Sequence, residues 1–269
     1  MIDFRPETRA ATEAVRVGLT VVLSREAAHD VRVKGPNDLV TGTDLLSQAA
    51  IERALKEREP SIAFVGEEGE ARIPDAARYW LVDPVCGTSN FAAGLPFYAV
   101  NVALVEAGQV TVGAVGDGVT GEVYVAERGS GAWRLDNASA QRLQVNRTAR
   151  VVSIDDGLPG PGALHRFPAE FAIRVLAEQR WDVRMLASTL ALAYLARGSL
   201  AGAVYVCGGL PVHFAAGLRL AEEAGALVSD EHCQPWTLFG PVYVAAANNE
   251  LQRELARLAR QTVEALQPS

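Results

Sequence analysis

The feature that most constrains this chain is a change of pattern near residue 150. From Phe97 to Arg134 the sequence runs as short β-rich segments, YAVNVALVEAG, QVTVGAVGDG, GEVYVAERG and GAWRL, broken by Gly, Asp and Glu turns. Such runs predict a meander. After a break at NASAQRLQVNRTAR, helix and strand signals alternate: strand VVSID, a helix over Ala163 to Glu178, strand VRML, a helix over Thr189 to Ala196 and strand AGAVYV. A helix over His213 to Ala224, strands ALVSD and PVYVAAA and a closing helix over Glu250 to Leu266 complete the chain. An antiparallel half followed by an αβ half buries its apolar faces by stacking, so the expected class is α+β, a layered α/β/α/β sandwich. Residues 1–269 are expected as one compact unit, with a helix pair and the meander in 1–147 and the αβ half in 148–269. The active site is expected between the halves.

Ahead of the meander, Ala10, Ala14, Val15, Leu19, Val22 and Leu23 recur at helical spacing within residues 5–29, which predicts an amphipathic helix. The stretch VRVKGPNDLVTGTD reads as a loop from its Lys-Gly-Pro-Asn cluster, followed by a helix over Leu45 to Glu59 capped by Thr43 or Asp44. Ser61 to Gly66 is strand-like and runs into Glu67-Glu68-Gly69.

With 49% hydrophobic residues in 269, the chain can bury a large core. A net charge of -7 and the lack of a Lys/Arg cluster argue against nucleic-acid and anionic-membrane partners. No apolar run approaches the roughly 20 residues of a membrane span, and the start MIDFRPETRAATEAV lacks a signal-peptide apolar region. A cytoplasmic location is the expectation. Cys86, Cys207 and Cys233 are expected as reduced thiols, Cys207 as a small buried hydrophobe and Cys233 in an exposed turn.

The chemistry concentrates in WLVDPVCGTSNF, Trp80 to Phe91. Trp80-Leu81-Val82 reads as a buried strand that Asp83-Pro84 ends, because proline lacks the N–H of a continuing ladder. Gly87 to Asn90 then permits close backbone approach and supplies capping side chains, a geometry that attracts anions.

This stretch resembles the motif D-P-(Ile/Leu)-D-G-T-x-N-F of the inositol monophosphatase family, matching at Asp83, Pro84, Gly87, Thr88, Asn90 and Phe91. Lys34, Asp38 and Asp44 match the family's K-x-x-x-D-L-V-T-x-T-D element, and Glu67 its G-E-E. The resemblance implies the family's fold over essentially the whole chain and commonly a homodimer. It also implies Mg²⁺ held by Glu67, Asp83 and the Val85 carbonyl, and an attacking water oriented by Thr88 with Asp44. Two positions depart. Cys86 stands where the second aspartate belongs, and W-D-x-A-A-G reads Val212-His213-Phe214-Ala215-Ala216-Gly217, with His213 replacing its aspartate. Val206 stands where some members carry a glutamate that touches the inositol ring.

Three readings follow. In the leading one Cys86 is a nucleophile at a helix N-terminus, His213 its general base, Asp83 or Asp44 the group that orients the imidazole, and Gly87 and Thr88 an oxyanion hole. The reaction would be acyl transfer, thioester or amide chemistry on a small-molecule or acyl-carrier-bound substrate, with no cofactor required. The alternative is a phosphomonoesterase for a sugar or other small phosphate, using one remaining Mg²⁺, or Zn²⁺ on the S, N and O donors Cys86, His213, Asp83 and Glu67. The third is a non-catalytic pseudophosphatase. Substrate contacts beyond the phosphate cradle are expected in loops such as Asp155 to Pro168.

Overall fold

In a computed structural model the described residues are 2–35, 38–69, 72–136, 139–155 and 162–266. Helix α1 (Pro6–Ser24) opens on proline, whose missing N–H would have had no partner in a first turn, and buries Ala10, Ala14, Val15, Leu19 and Val22. The stretch expected as a loop forms a hairpin instead, β1 (Val31–Gly35) against β2 (Asp38–Thr41). Val31 and Val33 are 43% and 76% exposed, so the hairpin has no apolar face for a pattern to reveal. Pro36 and Asn37 of the loop cluster lie outside the described residues. Helix α2 (Gly42–Arg58) begins earlier than expected and is capped by Thr41, whose N–H donates to Asp44 Oδ2 at 2.9 Å. Asp44 therefore serves the helix start from within its first turn.

Strands β3 (Ala63–Gly66) and β4 (Arg78–Cys86) are parallel neighbours, and the short helix α3 (Thr88–Ala93) follows them. The meander is β5 (Ala99–Glu106), β6 (Gln109–Asp117), β7 (Val123–Glu127) and β8 (Gly131–Leu135). It gains a further edge strand, β9 (Ala140–Arg142), inside the stretch expected as a break. These form one sheet in the order β3-β4-β5-β6-β7-β8-β9. The second half brings β10 (Val151–Asp155), a 3-10 turn (Gly162–Arg166), α4 (Phe167–Ala177), β11 (Asp182–Arg184), α5 (Leu190–Ala196) and β12 (Gly202–Val206). It ends with α6 (Ala215–Glu223), β13 (Leu227–Ser229), β14 (Val242–Ala246) and α7 (Asn249–Leu266), and its sheet runs β11-β10-β12-β14-β13.

The larger sheet is apolar on both faces. Trp80, Val82, Val100, Val102 and Leu104 point to the α1 and α2 side, while Tyr79, Leu81, Ala99, Ala103 and Val105 point to α5 and α6. Strand alternation thus sends successive residues into two cores. The second sheet turns Ala203, Tyr205, Tyr243 and Ala245 toward α5 and α6, and Val152, Ile154, Val204 and Val244 toward α4 and α7. The result is the layered α+β sandwich, with α5 and α6 between the sheets and α4 and α7 covering the outer face. Each fully buried Leu, Val or Phe contributes about 1.5–3 kcal/mol. The close approach of α6 depends on Gly113, where a Cβ would meet the Ala216 carbonyl oxygen at 2.4 Å. That approach brings His213, just ahead of α6, to the end of β4. Among the described residues no helix is long and apolar enough to cross a membrane.

Candidate active site

The strand β4 does not stop at Asp83-Pro84. It runs on to Cys86 with a register shift, Asp83 pairing with Asn101 and Cys86 with Ala99. Proline is tolerated because the ladder is already irregular there. Gly87 follows with φ of +95°, and a Cβ on it would lie 3.0 Å from both the Ala187 carbonyl oxygen and the Ser188 Cβ. Glycine is required on both counts, since the left-handed conformation and the contact with the segment before α5 each exclude a side chain.

Three predicted residues meet at the end of β4. Asp83, Cys86 and His213 are all buried, and one potential ligand atom from each lies within 4.8 Å of the others. His213 Nδ1 is 2.7 Å from Asp83 Oδ2, while Asp83 Oδ1 is buried with no hydrogen-bond partner among the described residues. Burial alone would lower the His213 pKa, but the charges of Glu67 and Asp83 and the Asp83 contact raise it well above the ordinary value. The contact fixes the ring against Asp83. Asp83, not Asp44, orients the ring.

Asp44 and Thr88 form a second group. Thr88 Oγ1 lies 2.9 Å from Asp44 Oδ1 and 2.9 Å from the Val85 carbonyl oxygen. Asp44 is fully buried, its other oxygen held by the Thr41 N–H and hydroxyl. Burial raises its pKa against the three hydrogen bonds it accepts.

Glu67 follows the end of β3, where its N–H donates to the Val82 carbonyl at 3.0 Å. Its carboxylate is 3.1 Å from Lys34 Nζ, which also reaches Glu68 at 3.0 Å and Asp38 at 3.4 Å. Lys34 thus closes one side of the cleft from the β1–β2 hairpin. Burial, then the charge of Asp83, raises the Glu67 pKa. The pocket holds more negative charge than its own cations balance.

Two residues escaped sequence reasoning. Asn101 is fully buried on β5 and donates from Nδ2 to Thr189 Oγ1 at 2.9 Å and to the His213 carbonyl at 3.2 Å. Thr189, read only as the start of a helix, lies 2.9 Å from Cys86 Sγ. The legible signal was one amide inside the apolar run VNVALV. Cys207 is half-buried rather than a core residue, and Cys233 is exposed as expected. Of the loop from Asp155 to Pro168, residues 156–161 lie outside the described residues.

The layered α+β sandwich thus gathers Asp83, Cys86 and His213 at the end of β4, with Thr88 on Asp44 and Glu67 on Lys34 alongside. Residues 3–264 match the inositol monophosphatase family, and the chain belongs to that family. It is 34% identical over 240 residues to an inositol-1-monophosphatase of Mesorhizobium japonicum, covering 87% of this chain and 88% of the relative. It is 32% identical over 227 residues to the Nus factor SuhB of Vibrio cholerae, covering 82% and 83%. The IMPase of Thermotoga maritima superposes with a TM-score of 0.84 at 26% identity, covering 98% of this chain and all of that one.

These relationships overturn the cysteine-nucleophile reading, with its transferase chemistry and its independence of any cofactor. The family is named for its inositol monophosphatases, which depend on Mg²⁺, and a relative as similar as that of Mesorhizobium japonicum carries that name. The physical reason is at Cys86 itself. Burial and then the charge of Asp83 push its thiol pKa up, outweighing the contacts with His213 and Thr189, and a protonated thiol is a poor nucleophile. The helix expected to lower that pKa, α3, has only 6 residues.

One Mg²⁺ fits the residues present. Asp83 Oδ1, which has no hydrogen-bond partner among the described residues, the Glu67 carboxylate and the Val85 carbonyl are the hard oxygen donors such an ion requires. A second Mg²⁺ does not fit, because Cys86 and His213 offer sulfur and nitrogen where oxygen is needed.

Proposed function

We propose that this protein is a metal-dependent phosphomonoesterase acting on a small-molecule phosphate. The observation that carries this reading is the Thr88–Asp44 contact of 2.9 Å beside the buried, partnerless oxygen of Asp83. Glu67, Asp83 and the Val85 carbonyl would hold one Mg²⁺, which supplies charge stabilisation for a transferring phosphoryl group. The chain's own residues orient the reaction. Thr88 commits its single proton to Asp44 or Val85, so its remaining lone pairs accept a hydrogen bond from the attacking water. Asp44, held at both oxygens, fixes that hydroxyl and takes up the proton through it. Gly87 and Thr88 turn the backbone at the strand end, where their N–H groups would cradle the phosphate. His213, held 2.7 Å from Asp83 Oδ2, would border the reacting group at the end of β4. Val206 is buried in the apolar core of the second sheet and offers no polar contact to an inositol ring. The substrate class is therefore a sugar phosphate or another small phosphate.

The whole chain would act as one compact unit with the site between its halves, in the cytoplasm and as a homodimer; sedimentation velocity tests the last. The function is tested by phosphate release from p-nitrophenyl phosphate, inositol 1-phosphate and a panel of sugar phosphates. Turnover should require Mg²⁺, vanish with EDTA and return with Mg²⁺. Turnover indifferent to EDTA would sink the reading. A non-catalytic role has one observation in its favour, the joint replacement of oxygen donors at Cys86 and His213, and relatives named Nus factor SuhB make it concrete. Its mark would be ligand binding without phosphate release from any of these esters.

A further inference from the structure

We propose that Asp83, Cys86 and His213 form a site for a softer divalent ion of the Zn²⁺ class, in the part of the cleft that cannot satisfy a second Mg²⁺. This rests on reading the cleft as metal-dependent, although its test does not require turnover. One sulfur, one nitrogen and one carboxylate oxygen, all buried and within 4.8 Å of one another, make a three-ligand set with a fourth position left for water or substrate. That is the composition of catalytic zinc centres, in which S, N and O donors stand about 2.0–2.3 Å from the ion. Ligands around such an ion are roughly 3–4 Å apart by simple tetrahedral geometry. The cluster therefore needs only small side-chain adjustments.

The partners of the sulfur point the same way. Asn101 Nδ2 donates to Thr189 Oγ1 at 2.9 Å, and the same hydroxyl lies 2.9 Å from Cys86 Sγ. The Thr189 N–H donates to the same sulfur at 3.3 Å. The sulfur is thus held from the Thr189 side by one backbone donor and one hydroxyl, which fixes its position toward Asp83 and His213. Asn101 also anchors the His213 carbonyl at 3.2 Å, so one amide ties the outer partner of one ligand to the backbone of another. Such outer contacts hold ligands in place before an ion arrives. Independently, Asp83 Oδ1 is a buried acceptor without a donor in a residue of 0% exposure.

Binding is a proton exchange. The ion takes the place of the Cys86 thiol proton and of the proton shared by His213 and Asp83, and both are released to solvent. Thr189 acts as a positioning residue through the sulfur.

The test uses the full chain carrying Cys207→Ser and Cys233→Ser, so that Cys86 is its one thiol. One equivalent of Co²⁺ should give sulfur-to-cobalt absorption and tetrahedral visible bands, and one equivalent of Zn²⁺ should remove them. Cys86→Ser should abolish the sulfur band and weaken Zn²⁺ binding in equilibrium dialysis by more than ~100-fold, since loss of an outer partner alone costs about 10–100-fold. Thr189→Val, which keeps every ligand, should weaken binding by about 10–100-fold. His213→Gln should alter the visible bands. Should Cys86→Ser lose its near-ultraviolet circular dichroism, the parent spectrum and Thr189→Val decide. A missing sulfur band, or one that survives Cys86→Ser, overturns the proposal. A missing band together with Mg²⁺-dependent phosphate release removes the soft site and leaves the phosphatase standing. A present band without phosphate release under any metal does the reverse.

Discussion

Two groups of carboxylates in this protein are built from the same residue types and behave oppositely. Near the start of α1, Arg5 lies 3.0 Å from Glu7 and 2.6 Å from Glu106, and Arg78 is 2.9 Å from Glu106 and also pairs with Glu7. Partial burial works to raise both carboxyls, yet the hydrogen bonds from Arg5 and Arg78, and that of Thr111 to Glu106, hold them below the usual range. In the cleft, burial raises Glu67, Asp44 and Glu68, against the opposing charges of His213 and Lys34 on Glu67 and of Lys34 on Glu68. The first group satisfies itself and ties the N-terminal helix to the sheet. The second is left short of positive charge by its own protein, which is the electrostatic mark of a place where an ion and a substrate complete the balance.

Substitutions can break or sharpen that contrast. Asp83→Asn should lower Mg²⁺-dependent turnover by at least ~10³-fold, in keeping with the several kcal/mol a bound ion contributes. Glu67→Gln should lower turnover similarly while leaving the metal-free protein as stable or more stable, by up to about 1 kcal/mol in urea unfolding, because it removes an unfavourably buried charge. Loss of stability in that variant would erase the distinction drawn here. Thr88→Ala should lower kcat by about 10²-fold, and Thr88→Ser should restore most of it. Gly113→Ala should cost about 1–3 kcal/mol by overpacking α6 against the sheet, with turnover falling as His213 shifts.

The smallest effect belongs to the balanced group. Glu106→Gln should leave turnover unchanged and cost about 1 kcal/mol or less, the range of partly exposed ion pairs. Glu7 and Glu106 titrate lower in the folded state than in the unfolded chain. Their contribution is therefore complete above the unfolded value of about 4.3 and is lost as pH falls through the folded values. The variant should accordingly lose its deficit relative to the parent at acid pH.

Much of this was legible in advance, and the exceptions have a common cause. The meander, the αβ half and the α1 stripe announce themselves through local periodicity. The β1–β2 hairpin does not, because Val31 and Val33 are exposed and leave no pattern. Pro84 reads as a stop signal, whereas the register shift beside it lets β4 continue to Cys86. The residues Asp44, Glu67, Asp83, Cys86, Thr88 and His213 could be singled out by motif. What could not be read was which of them touch.

The sequence by itself determined the family, the layered architecture and the two lost oxygen donors, because each is a matter of residue type at a given position. Only the tertiary structure decided that Cys86 is a buried thiol whose pKa is pushed up by burial and by Asp83, against a role as nucleophile. The same packing set His213 against Asp83 and brought Asn101 and Thr189 behind the sulfur. Proton affinity depends on burial and on neighbours far away in the chain, here the 130 positions between Asp83 and His213, and no local pattern encodes them.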